Sequence, residues 1–179
     1  YSAEVQALLR GDVDAIFLRG AEVANAVREA NGGIRLLYDL RDAPDMESRV
    51  NNSSPRLLSV SASLVRNHPE AVIRYVQTLI RAARWAGANP RDAIAPIAAE
   101  CGVPPDDVVR QYRPDFIQKI MPANTQELLQ ATEIMKSFLV ERRYLAKDFP
   151  LTEWFNPEPL QEALRREGMD AAPAAVAAQ

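Results

Sequence analysis

The chain has 179 residues, 47% of them hydrophobic and 25% charged, with a formal net charge of -3, the balance of a globular protein with enough apolar side chains for a core. Its basic residues are singlets and pairs such as Arg142-Arg143 and Arg165-Arg166, solvated helix faces rather than a stripe interleaved with aromatics, which argues against a nucleic-acid surface. A single cysteine, Cys101, and a single histidine, His68, exclude an intrachain disulfide and leave no Cys/His metal spacing.

No apolar run approaches the roughly 20 residues that cross a bilayer, and no charged segment followed by an apolar one opens the chain as a secretory signal does. The first residues, Ser2 to Arg10, read as a helix entered without a Met or a capping segment, so a preceding segment is expected. Gly11-Asp12 then turns the chain into Val13-Asp14-Ala15-Ile16-Phe17, a short apolar run of strand type. Ala21 to Glu29 has helical spacing at Val23, Ala24 and Val27, and Asn31-Gly32-Gly33 supplies left-handed residues to stop it. Ile34-Arg35-Leu36-Leu37-Tyr38 is the next expected strand, which makes the opening a strand, helix, strand unit.

Residues 39–55 are polar, with Pro44, Asn51-Asn52 and Ser53-Ser54-Pro55, and read as a long connection before a third strand at 56–61. Helices are expected from there on. Pro69 suits a first helical position and Glu70 its positive end, and Val72, Val76, Leu79, Ile80 and Ala83 form one apolar face. Asn89-Pro90 opens a helix that runs to about Cys101-Gly102, and Pro104-Pro105 opens one that runs to about Ile120, closed by Met121-Pro122. Asn124 or Thr125 caps a helix with Leu128, Ala131, Met135, Phe138 and Arg142 on one side, and Asn156-Pro157 starts the last helix with Leu160 and Leu164 inward. Residues 171–179 lack large apolar side chains, and the chain from 168 onward is expected to be a disordered tail.

Several stretches resemble the substrate-binding proteins of nitrate, sulfonate and taurine importers, the type II periplasmic-binding class. They are Leu8-Leu9-Arg10-Gly11-Asp12-Val13-Asp14-Ala15, Asn67-His68-Pro69-Glu70, Ala83-Arg84-Trp85-Ala86 with Asn89-Pro90, and Leu151-Thr152-Glu153-Trp154-Phe155. In order and spacing they cover roughly residues 3 to 165. Asp115-Phe116-Ile117-Gln118 with Pro122 is similar to a segment of the 2'-hydroxybiphenyl-2-sulfinate desulfinases, enzymes on the same scaffold. The resemblance implies an α/β architecture, the C-terminal part of a bilobed fold. In it, residues 1–50 end the second lobe and cross over, and residues 51–167 return to the first lobe as one strand plus helices. In the desulfinases the resemblance implies a cysteine nucleophile aided by histidine and arginine, all from an N-terminal half absent here, so no catalytic residue is assigned.

Ligands of open α/β sheets bind beyond the carboxyl ends of the strands, where loops and helix N-termini converge. That places the candidate site at Phe17 to Glu22: the backbone amides of Gly20 and Ala21 face an anion, Arg19 offers a forked cation, and Glu22 lies in the same turn. The alternative for Arg19, an exposed loop charge, stands slightly ahead of a binding role. Asn52, Ser53 and Ser54 are a second set of neutral donors, or a plain loop. Family members often carry an aromatic or acidic residue after the first of these strands, where this chain has Leu18-Arg19-Gly20. Cys101, near a helix C-terminus, reads as a packed structural cysteine, and His68 as a capping or surface residue. Trp85, Trp154, Tyr112 and Phe116 read as packing aromatics rather than a ligand box.

Three functions follow. The first is the solute-binding component of an importer that closes on a small anion of the sulfonate, taurine or nitrate class and presents it to a permease. The second is a desulfinase-like or pyrimidine-precursor enzyme on the same fold. The third is a helical interaction domain unrelated to transport, favoured if the first 60 residues form no strands. No cofactor or metal is expected. The expected partners are the solute, the permease and the absent N-terminal half; the compartment is periplasmic if a signal peptide precedes and cytoplasmic otherwise.

Overall fold

The computed structural model describes residues 3–51, 54–112 and 116–169. Among them helix is the dominant element: α1 (Ala3–Arg10), α2 (Ala21–Glu29), a 3-10 turn (Leu40–Asp42), α3 (Met46–Arg49), α4 (Ala62–Asn67), α5 (Pro69–Ala88), α6 (Pro90–Cys101), α7 (Pro105–Gln111), α8 (Phe116–Lys119), α9 (Gln126–Glu141), α10 (Leu151–Trp154) and α11 (Glu158–Arg166). The chain divides into two compact units, residues 1–39 with 85–120, and residues 40–84 with 121–179.

The expected α/β architecture is corrected: the described residues contain no strand and no sheet, and the only β-type pairing among them is an isolated bridge between Asn51 and Ser54. Residues 13–17, 34–38 and 56–60 carry the right side chains for strands and form no helix, yet among the described residues they join no β-ladder. Strand preference is realised only through cross-strand partners, and short apolar runs without them have no ladder to join. Ser61, expected to close the third strand, instead caps α4, its hydroxyl accepting the Leu64 amide at 3.2 Å. The bilobed α/β periplasmic-binding arrangement is therefore not the fold of these residues, which is helical.

In the first unit α2 packs on α7, and α7 on α6. Ala86, Ala93 and Ile117 form its small core, with Ile97 and Phe116 against them. Gly102, at φ 65, ends α6 in the left-handed conformation, its amide bonded to Ala99 and that of Val103 to Ala98, the terminating geometry that glycine permits. The single helix expected from Pro105 to Ile120 is interrupted: Tyr112 is extended at φ -91, ψ 124. The sequence supplies the reason, because Pro114 lacks an amide donor and biases the preceding residue away from helix.

In the second unit the long helix α5 buries Val72, Val76, Ile80 and Ala83, the face expected from its spacing. Val76 and Ile80 pack on Ala163 of α11, flanked by Leu160 and Leu164. Full burial of Ile80 stabilises this contact by roughly 1.5–3 kcal/mol. Thr125 caps α9, accepting the Leu128 amide at 3.1 Å. The buried face of α9 differs from the expected one: it is Leu129, Thr132 and Lys136, while Phe138 is exposed. Lys136 can be buried because its ammonium reaches Glu133 and Asp148, each at 2.7 Å, and the Phe149 carbonyl at 2.8 Å. Those bonds, Asp148 first and Glu133 second, hold Lys136 above the ordinary lysine value, and Lys136 in turn holds Asp148 below the ordinary carboxylate value.

Candidate functional site

The candidate anion site lies at the start of α2 in the first unit. Gly20 occupies the capping position at φ 53, ψ -139, a combination that a side chain makes costly. No side chain caps the helix there. The Glu22 amide donates back to the Arg19 carbonyl at 3.2 Å and the Val23 amide to Gly20 at 3.3 Å, so the first turn is tightly wound and its positive dipole end is presented by the Gly20–Ala21 segment.

Tyr112 brings a second polar group to this point. A Cβ built on Gly20 would lie 3.3 Å from the Tyr112 hydroxyl, so the absence of a side chain at residue 20 lets the phenol approach the helix start. Tyr112 is itself fixed by Phe116, their ring centroids 5.1 Å apart. The pairing of α2 with α7 is secured farther along by Arg28, whose Nε donates to Asp107 Oδ2 at 3.0 Å, while the same guanidinium bonds Asn25. Asp107 is 1% exposed and also faces Arg110 at 3.7 Å. A buried carboxylate between two arginines fixes the register in which Tyr112 meets Gly20.

Of the expected site residues, Arg19, Gly20 and Glu22 lie together at this helix start, Arg19 and Glu22 both exposed. Arg19 places an exposed positive charge there. Glu22, in the first turn of α2, complements the helix dipole, and its negative charge opposes that of Arg19. Asn52 and Ser53 lie outside the described residues; Ser54 is exposed and bridges Asn51. Tyr112 and Asp107 were not among the expected site residues, since their relation to Gly20 and Arg28 spans about 80–90 positions in sequence and leaves no local pattern.

Cys101 is exposed at the end of α6, which corrects the packed reading: α6 buries Ala93 and Ala98 instead. His68 is exposed and ends α4, its backbone amide bonded to the Leu64 carbonyl. Neither side chain forms a hydrogen bond among the described residues. Trp85 and Trp154 are half exposed. Among the described residues no three His, Cys, Asp or Glu side chains are placed to hold a metal ion, and no helix is long and apolar enough to cross a membrane.

Comparison with known proteins finds 2'-hydroxybiphenyl-2-sulfinate desulfinases. The chain is 31% identical over 162 residues to that of Rhodococcus erythropolis, a match covering 89% of this chain and 41% of the relative. The desulfinase of Rhodococcus qingshengii matches with the same identity and coverage. The chain thus spans about two fifths of the length of the curated relatives it matches. No protein-family profile matches the chain, and no solved structure does.

Proposed function

We propose that this chain supplies part of the binding site for a small organosulfur anion of the aryl sulfinate or sulfonate class, as a section of a longer, desulfinase-like protein. The observation that carries the reading is the similarity to the desulfinases over most of the chain, whose name specifies a sulfinate. The start of α2 supports it independently, because a helix N-terminus beside a phenol hydroxyl and an arginine offers amide, hydroxyl and guanidinium donors to the oxygens of such an anion. The helical architecture meets the condition for a helical interaction domain, but similarity along the chain to named enzymes weighs against one unrelated to them.

Binding without turnover, as in an importer's solute-binding component, is the second reading. It is favoured by the kind of groups gathered at the α2 start, which bind and orient rather than attack. Both readings are tested on the protein from its natural reading frame by calorimetric titration with biphenyl-2-sulfinate and by assay for released sulfite. Binding with sulfite release supports the enzyme, and binding alone supports the solute-binding component. Gly20→Ala, which sets a Cβ against Tyr112, and Arg19→Ala are each expected to weaken binding about tenfold, near 1.4 kcal/mol. Unchanged affinity in both variants would remove the α2 start from the site.

A further inference from the structure

In the second unit, polar side chains converge where the end of α11 meets α5. Gln77, Arg81 and Arg84 are spaced four and three residues apart on α5, so they share one face. Their common neighbour is the carboxylate of Glu167, the residue that follows α11. Its Oε1 accepts from Gln77 Nε2 at 2.8 Å and from Arg81, through Nε at 2.9 Å and Nη2 at 2.8 Å. The Glu167 side chain is 9% exposed, although the guanidinium-bearing side chains of Arg81 and Arg84 beside it are 66% and 55% exposed.

The donor set is larger than its occupant. Glu167 Oε2 lies 4.0 Å from Arg84 Nη1, beyond hydrogen-bond reach, and Arg84 makes no hydrogen bond among the described residues. Two permanent positive charges therefore meet one carboxylate, which satisfies Gln77 and Arg81 only. Glu167 is also placed against its own helix. The last turn of α11 carries Arg165 and Arg166, which suit the negative end of the helix dipole, whereas a carboxylate there is disfavoured. The donors of α5 account for the carboxylate's position, and the dipole of α11 does not.

We propose that Gln77, Arg81 and Arg84 form a binding site for a tetrahedral oxyanion, which Glu167 occupies as an intramolecular competitor. Oxygens arranged around a central atom reach both guanidinium groups at once, which the carboxylate does not. Vacating the site takes rotation of the Glu167 side chain and no helix movement, because Leu164 and Met169 pack against the core of Val76, Ile80 and Ala163. The Met169 amide, bonded to the Leu164 carbonyl at 2.9 Å, closes the same turn. A tethered competitor acts at an effective concentration of roughly millimolar or more, so a free oxyanion binds the native site weakly. The site is separate from the start of α2, and neither reading depends on the other.

Sodium sulfate is the probe, titrated calorimetrically at constant ionic strength into the protein from its natural reading frame. Glu167→Ala is expected to bind sulfate at least tenfold more tightly than the native protein, and Arg81→Ala added to it should abolish that gain. A carboxylate that only clamps α11 would, on removal, lower the unfolding temperature and create no sulfate binding, which would overturn the proposal. Equal affinity in the native and variant proteins would overturn it too, as would a gain that survives Arg81→Ala. If Glu167→Ala loses its helical circular dichroism, Glu167→Gln decides: it keeps the shape, drops the charge and should still gain severalfold, and no gain there sinks the proposal.

Discussion

Asp107 and Lys136 show what a buried charge requires. The Asp107 carboxylate is held by Arg28 at 3.0 Å and approached by Arg110 at 3.7 Å, and the Lys136 ammonium by two carboxylates and a carbonyl. Removing water from such groups is costly, and partners are what make it tolerable. Asp107→Asn keeps the shape and removes the charge, leaving Arg28 with a weaker acceptor, and should lower stability by about 1–3 kcal/mol in urea unfolding. A neutral result would show that the pair gives register without net stability. Neither burial was legible in the sequence. The spacing of α9 pointed to Leu128, Ala131, Met135 and Phe138 because a lysine is by default assigned to water, and only Asp148, 12 positions on, explains the exception.

Between elements, α11 is tied to α5 by apolar packing at Val76, Ile80 and Ala163 and by charges at its end. Arg166 forks onto Glu70 at 2.7 and 3.0 Å and also reaches Glu162 at 2.7 Å, while Glu167 accepts from Arg81 and Gln77. Hydrogen bonds from Arg165 and then Arg166 bring Glu162 from 4.5 down to about 2; Arg166 lowers Glu70 and Arg81 lowers Glu167. A folded value below the unfolded one means stabilisation that is complete above about 4.5 and lost as pH falls through about 2. Thermal unfolding followed by circular dichroism should therefore show a falling midpoint across that window. Glu162→Gln should flatten the fall, and added salt should weaken the effect because these pairs meet solvent. A midpoint independent of pH there would mean that the packing alone holds α11.

At the scale of the molecule, many large apolar side chains of the described residues are exposed, Leu36, Leu37 and Tyr38 of the first unit among them. Besides the stretches in the first unit, Leu57, Leu58 and Val60 are exposed in the second. An apolar surface of this extent should bind a hydrophobic dye such as anilinonaphthalene sulfonate in the native state. Leu36→Lys with Leu37→Lys should lower the fluorescence and leave the helical circular dichroism unchanged, since neither side chain supports a helix. Absence of dye binding by the native chain would mean that these stretches are covered in solution.

Helix positions were legible where local chemistry decides them. Pro69, Asn89-Pro90, Thr125 and Asn31-Gly32 mark boundaries by restricting φ, capping amides or adopting the left-handed region, and α5 shows its buried face in its own spacing. The short helices α3, α4 and α10 were not legible, since four to six residues carry too little periodicity. The strand expectation failed for a different reason: apolar runs of five residues state a preference, and only a paired neighbour turns it into a sheet. Within the candidate site, sequence alone singled out Arg19, Gly20 and Glu22 at a helix start. That Tyr112 closes on Gly20, and that Asp107 fixes α7 against α2 through Arg28, was decided by tertiary structure, because contacts between residues about 80–90 positions apart depend on where the helices pack and not on any spacing along the chain.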